Sequence, residues 1–202
     1  YSLSVDDILN LQEKNWDYIV IQSHFSMLSN DIIKDLLRHL IGLLSSNGVI
    51  ALQWECLPGA VYLDKTRDAL QIYSCQESSI ELQVARAKLM LTSLSVTDNF
   101  RISHPAHFEI DNISDTLFVH HFLETSREGL YLVEFNSYVE ECGLCYIGDV
   151  KPGSELPETY GKQVEQLHSA LGEDSHKILL QQNLDILTDR TQRFSLLTQK
   201  KH

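Results

Sequence analysis

The 202-residue chain carries 16 Lys and Arg against 28 Asp and Glu, a formal net charge of −12, with 43% hydrophobic and 22% charged residues. Such a balance is that of a globular protein and excludes disorder and collagen-like repeats. It also argues against nucleic-acid binding, where a basic face supplies most of the affinity. No apolar run approaches the roughly 20 residues a membrane helix needs, so a soluble chain with no membrane insertion is expected. Four cysteines, Cys56, Cys75, Cys142 and Cys145, are too few and too scattered for a disulfide scaffold. Reduced thiols in a cytoplasmic compartment are the simpler expectation. The first residue is Tyr1, with no charged leader before an apolar stretch, which reads as a piece of a longer chain.

Asp17-Tyr-Ile-Val-Ile-Gln22 is a short apolar run suited to a buried parallel strand. Ser29-Asn-Asp31 supplies an N-cap and an acidic first turn for a helix. Its apolar face holds Ile32, Ile33, Leu36, Leu37, Leu40, Ile41 and Leu44. Asn47-Gly48 is expected to end that helix, and Val49 to Trp54 reads as a second buried strand. The spacing is that of a strand–helix–strand crossover. After the Leu57-Pro58-Gly59 turn, Asp64 to Leu94 contains neither Pro nor Gly and predicts two helices broken near Glu77-Ser-Ser79. Thr97 to Asp115 predicts a loop, and Thr116 to Phe122 a strand or extended lead-in. A helix over Tyr131 to Glu141, stopped by Gly143, precedes a strand over Leu144 to Asp149. Lys151 to Pro157 reads as a linker, and Gln163 to Leu197 as helical with a break near Gly172. The resulting divisions are residues 1–60, 61–150 (a helical region with a helix–strand unit at 131–149) and 151–202 (linker and C-terminal helices).

In an open parallel sheet, ligands bind beyond the carboxyl ends of the strands. Here those ends are Gln22-Ser-His-Phe25 and Glu55-Cys-Leu-Pro-Gly59. Five stretches, in order, carry a resemblance: Trp16 to Met27, Ser45 to Gly59, Arg67-Asp68 with Ala85-Arg86, His121 to Gly148, and Leu184 to Leu197. Together they resemble bacterial S-adenosylmethionine-dependent methyltransferases with a methyltransferase regulatory domain, of the protein-lysine-methyltransferase kind. The chain departs from that pattern at the strand ends. His24-Phe25 stands for the family's His-Gly, Trp54-Glu55 for its Tyr-Asn, and Gly59-Ala60 for its Gly-Trp. No Gly-rich strand-to-helix turn of the kind that approaches the cofactor's methionine part is present in the sequence.

The resemblance implies an α/β fold: a partial Rossmann-like class I methyltransferase sheet, holding its fourth and fifth strands, with a mostly helical regulatory region. It implies that Ser2 to Ile8 is the loop after the third strand, with Ser4 and Val5 on the adenine side. Gln22, Ser23 and His24 would face the cofactor, S-adenosylmethionine. Trp54, Glu55, Pro58 and Gly59 would lie on the substrate side, Glu55 to hold a substrate ammonium. The parent protein would be a methyltransferase, with a protein substrate and a homo-oligomeric state as its partners. The chain by itself, lacking the Gly-rich loop, would bind cofactor weakly and be inactive. The alternative is a non-catalytic regulatory or oligomerisation module. Residues 131–149 either rejoin the cofactor sheet, making residues 60 to about 115 a helical insertion, or belong to a separate regulatory unit.

No catalytic residue is assigned. His24 has the intrinsic pKa of a general base, set against the commoner role of orienting cofactor or packing the loop. Cys142-Gly-Leu-Cys145 has the spacing of half a zinc site, yet Cys56 and Cys75 make no second pair. His104 and His107 flank a proline, and adjacent His120 and His121 on a strand would point to opposite sides, so no metal is expected. Arg190, Arg193, Lys200 and Lys201 make the tail locally basic, with a solvated face expected.

Overall fold

The computed structural model describes residues 5–22, 25–97, 114–123, 129–172 and 176–200. Two compact units emerge, one formed by residues 1–60 with 126–202 and the other by 61–125. This division differs from the three consecutive stretches read from the sequence. The physical reason is that strands late in the chain pair with strands near its start.

The first unit is built on a four-stranded sheet of order β1-β2-β4-β3, with β1 Trp16–Ile21, β2 Leu44–Glu55, β3 Leu144–Asp149 and β4 Gln192–Gln199. β1 and β2 are parallel, in register from Tyr18 opposite Val49 to Ile21 opposite Leu52. β4 runs antiparallel to both β2 and β3, so the other three strands share one direction. This is the expected α/β, partial Rossmann-like sheet, with its parallel β1–α2–β2 crossover, and β3 and β4 are joined to it.

α1 (Val5–Leu9) precedes β1, and α2 (Asn30–Leu43) links β1 to β2. α2 begins at the N-cap Ser29 and turns Ile33, Leu36, Leu37 and Leu40 onto the sheet, each 2% exposed or less. It ends earlier than expected. Leu44 is already extended, and Asn47 and Gly48 lie inside β2 rather than capping the helix. Gly48 sits there because the Trp16 carbonyl passes 2.7 Å from where a Cβ would stand.

Helix Leu132–Glu141 packs beside α2 on the same sheet face, burying Leu132, Phe135 and Val139 in one core with Ile50, Leu52, Trp54 and Leu197. Gly143 follows it at φ 81°, the helix stop read from the sequence. Two short 3-10 turns, Pro152–Glu155 and Pro157–Tyr160, occupy the expected linker. Helices Lys162–Gly172 and Lys177–Thr188 come next. The expected helix through Leu197 is corrected, since the chain leaves helix at Thr188 and returns through the sheet as β4. Asp189 makes that exit in the left-handed conformation, at φ 49°.

The second unit contains α3 (Val61–Ser74) and α4 (Ile80–Ser95), broken where the sequence predicts, with the Ser79 hydroxyl accepting from Leu82 N. α5 (Asp115–Phe118) runs into a π turn at Val119–Leu123. Residues 116–122 are therefore helical, not the strand or extended lead-in expected. Ser114 caps the turn, and Phe118 and Phe122, with ring centroids 4.9 Å apart, pack with Leu70, Val84 and Leu91. That packing needs the one-turn spacing of a helix and overrides the β-branched composition. Arg67 fixes the π turn by donating from Nε to the His121 carbonyl (3.0 Å) and from Nη1 to Asp64 (2.8 Å). The predicted loop at Thr97 to Asp115 lies largely outside the described residues. We number the later helices of the first unit α6 (Leu132–Glu141), α7 (Lys162–Gly172) and α8 (Lys177–Thr188).

Candidate functional site

The carboxyl ends of β1 and β2 lie side by side, as the crossover requires. Gln22, directly after β1, is exposed. Ser4, Ser23 and His24 lie outside the described residues, and Val5 opens α1. The chain then makes a 3-10 turn, Phe25–Met27, in which Phe25 is 1% exposed and meets Phe135 edge-on at 6.2 Å. Ser26 Oγ accepts from Glu55 N at 2.7 Å, satisfying the strand end where β1 has already stopped.

Beyond that point residues 129–130 extend the sheet by one parallel bridge. Leu130 N donates to the Glu55 carbonyl (3.2 Å) and Leu57 N to the Leu130 carbonyl (2.9 Å). On the other side, Cys56 N donates to the Thr191 carbonyl at 3.0 Å. Leu57–Pro58 is a cis peptide, and a Cβ on Gly59 would collide with the backbone of Asp189 and Arg190. Pro58 and Gly59 thus form a tight turn packed on the approach to β4.

Of the substrate-side candidates, Glu55 is 8% exposed at the strand end, whereas Trp54 points into the core. Its ring stacks on Phe135 at 4.3 Å and 15°, and Nε1 donates to Ser195 Oγ at 3.0 Å. The alternation of β2 sends Ile50, Leu52 and Trp54 to the helix-covered face. Gln22 and Glu55 are the two described candidates brought to the strand ends. An amide and a carboxylate there can orient a polar or cationic ligand; they supply no nucleophile.

A second polar centre escaped the sequence reading. Arg193 is 1% exposed and donates through Nε and Nη2 to both oxygens of Asp185 (2.9 and 2.8 Å) and through Nη1 to Asp149 Oδ2 (2.7 Å). Arg190 adds Nη1 to Asp149 (3.0 Å) and contacts the Ser154 carbonyl and the Tyr160 hydroxyl. The solvated basic tail expected for Arg190 and Arg193 is corrected: these two guanidiniums are buried among carboxylates. The Tyr146 hydroxyl lies 3.0 Å from Asp149 and 2.8 Å from Glu155 and accepts from Arg193 Nη1 (2.9 Å). Burial raises the Tyr146 pKa, so the phenol stays protonated and donates. Burial alone would lower the Arg193 pKa, but its hydrogen bonds to Asp185 and the charges of Asp185 and Asp149 hold it raised. Burial also pushes Asp185 up against the pull of Arg193; with the fork engaged at both oxygens, the pair is ionised. The cluster ties β3, α8, β4 and the 3-10 turns together, a scaffold for the strand ends rather than a reaction centre.

Among the described residues no three His, Cys, Asp or Glu gather as metal ligands. Cys142 is buried with Sγ 3.6 Å from the Lys34 carbonyl, and His104 and His107 lie outside the described residues. Burial pushes the Cys56 thiol well above its usual range, and its Sγ donates to the Arg190 carbonyl (3.1 Å). Cys75 is exposed, on the rim of a shallow hollow in the second unit lined by Gln71, Ser74, Gln83 and Leu123. Brief alkylation of the native chain with iodoacetamide is therefore expected to label Cys75 and spare Cys56 and Cys142, as peptide mass spectrometry would read. Equal labelling of Cys56 would contradict the packing of the 56–60 turn on residues 189–191.

Residues 114–199 match the family described as "Predicted methyltransferase regulatory domain". No curated protein matches. The fold is similar to PKMT2 from Rickettsia typhi, with TM-score 0.72 and 22% identity over 95% of this chain and 37% of that one. It is likewise similar to the structure of PKMT2 from Rickettsia typhi in complex with AdoHcy, with TM-score 0.76, 22% identity, and 95% and 38% covered. The chain thus spans well under half the length of the solved protein it resembles. No described helix is long and apolar enough to cross a membrane. The comparisons thus show similarity over residues 114–199 to the predicted methyltransferase regulatory domain family and a shared fold with the solved structures, and the two strands in the matched residues, β3 and β4, lie in the same sheet as β1 and β2.

Proposed function

We propose that this chain works as part of a class I S-adenosylmethionine-dependent methyltransferase, supplying the later half of the cofactor sheet and the regulatory region. One observation carries the reading. β1 has β2 as its one neighbour among the described strands, and the sheet face away from α2 and α6 leaves Tyr18 76% and Val20 59% exposed. Parallel sheets are normally covered on both faces and paired on their inner strands. An open edge and a bare apolar face at β1 suit a sheet continued by further strands and helices.

In this reading Gln22, Ser23 and His24, with Ser4 and Val5, line the cofactor side. Glu55, at the end of β2, holds the ammonium of an acceptor before its deprotonation, and a protein side chain is the acceptor proposed. The cofactor's sulfonium supplies the methyl group. This chain's part is to orient and to exclude water, because its sequence has no Gly-rich loop. A homo-oligomer is part of the same proposal. The regulatory-domain match favours a second reading, a non-catalytic module that adjusts a partner enzyme.

Calorimetric titration of S-adenosylmethionine into this chain, and into a longer polypeptide that adds preceding strands, separates the two. Binding at least about tenfold tighter by the longer chain is expected, since a cleft between two half-sheets binds only when both walls are present. Absence of binding by either would leave the module reading.

A further inference from the structure

The parallel bridge beyond the strand ends places one more side chain beside Glu55. Leu130 and Cys56 lie opposite each other in that bridge, and both are buried in the helix-covered core. Successive side chains along an extended chain leave by opposite faces. Glu55, just before Cys56, and Tyr131, just after Leu130, therefore emerge together on the face away from the helices. The α6 cap is made by the backbone of Tyr131, whose N donates to Glu134 Oε2 (2.9 Å) and whose carbonyl accepts from Phe135 N (2.9 Å). The side chain itself stays 37% exposed.

An aliphatic floor joins the two. A Cβ on Gly129 would come 3.1 Å from Leu57 Cδ2, so the Leu57 side chain covers the backbone of residue 129 on this same face. Gln192, opposite Glu55 in β4, and Gln53, two residues back, border the carboxylate with amides. A carboxylate 8% exposed, an aliphatic surface and an aromatic ring together match an alkyl stem that ends in an ammonium. The stem packs on Leu57 and the carboxylate takes the charge. The tyrosine ring attracts a cation held within about 6 Å of its face.

We propose that Tyr131 is a specificity-determining residue for a lysine side chain, forming with Leu57 and Glu55 the wall along which the acceptor is held. This rests on the acceptor part of the reading above, in which Glu55 holds an ammonium, and not on its cofactor part. The two polar partners divide the work by methylation state. A carboxylate bonds N–H groups and loses a donor with each methyl added, whereas an aromatic face still attracts a fully methylated ammonium. Tyr131 therefore matters more as methyl groups accumulate, and Glu55 less.

Titration of the 202-residue chain with Nα-acetyl-lysine amide, followed by amide and tyrosine-ring NMR, tests it. The expected result is a saturable shift at Tyr131 and Glu55 that Nα-acetyl-norleucine amide, which has the stem without the ammonium, does not produce. Tyr131→Ala is expected to weaken lysine binding at least about fivefold and Tyr131→Phe to keep it within about twofold, with far-UV circular dichroism unchanged in both. With the ε-trimethylated ligand the Tyr131→Ala loss should grow and the Glu55→Gln loss shrink. Absence of a saturable shift, equal binding of the norleucine ligand, or a phenylalanine variant as weak as the alanine one overturns the proposal. Lysine binding that falls in Glu55→Gln but not in Tyr131→Ala overturns the role of Tyr131 and leaves the ammonium reading of Glu55 standing. S-adenosylmethionine titration into the longer polypeptide reports on the cofactor reading independently of these outcomes.

Discussion

Replacing Arg193 with leucine is expected to destabilise the chain by about 3–5 kcal/mol, read as a shift of the urea unfolding midpoint, because a buried pair loses one partner. The cost comes from what is left behind. Asp185 is 0% and Asp149 5% exposed, and without Arg193 both depend on Arg190, which reaches Asp185 at 3.3 Å and Asp149 at 3.0 Å. One guanidinium cannot neutralise two buried carboxylates beside Glu155, so one carboxyl must take a proton or draw in water. The deficit should therefore be largest at neutral and alkaline pH. A carboxyl whose folded pKa is raised above its unfolded value costs stability at high pH, and that cost falls as pH drops through the raised value. Lysine at 193 would keep the charge but lose the fork, giving an intermediate loss. The double change Arg193→Leu with Asp185→Leu removes charge from both sides and should recover much of it. A single Arg193→Leu variant with the wild-type midpoint would mean that the cluster is solvated and not a scaffold.

The same cluster marks where sequence reading stops. The β1–α2–β2 crossover is legible because its signals are local: an apolar run, an N-cap at Ser29 and a one-sided stripe from Ile33 to Leu40. The break between α3 and α4 is legible for the same reason, through Ser79. β4 is not. Gln192–Gln199 alternates Arg193, Ser195 and Leu197 inward with Phe194 and Leu196 outward. Its buried face is thus more polar than its other face, the reverse of the usual pattern. Arg193 becomes buriable only through Asp149 and Asp185, brought beside it by the fold. The sequence does hold one clue, an arginine directly before the largely apolar Phe194-Ser-Leu-Leu197 run, which once drawn into the strand asks for a buried carboxylate partner. At the candidate site, the pairing of Gln22 with the end of β2 follows from the topology rule. The fate of Trp54 does not, since an aromatic at a strand end can face a ligand or a helix. Phe135, brought alongside by α6, decides it.

Trp54→Ala consequently separates the two roles that residue could have. As a core residue, 2% exposed and stacked on Phe135, its truncation is expected to cost about 3–5 kcal/mol in unfolding free energy, the transfer loss plus an unfilled cavity between β2 and α6. Phe25, in edge contact with the same Phe135 ring, would lose part of its support, so the 25–27 turn and the Ser26–Glu55 bond should loosen along with the core. Trp54→Phe is the informative companion. It keeps a ring against Phe135 and gives up the hydrogen bond from Nε1 to Ser195. Ser195 still donates to Asp149 Oδ1 at 3.2 Å, so only an acceptor site falls empty and the loss should be about 1 kcal/mol beyond the smaller ring's transfer term. Urea midpoints ordered wild type, then Trp54→Phe, then Trp54→Ala, with the last step the larger, are the result the packing requires. An alanine variant as stable as the wild type would return the indole to the ligand side of β2, where the resemblance had placed it.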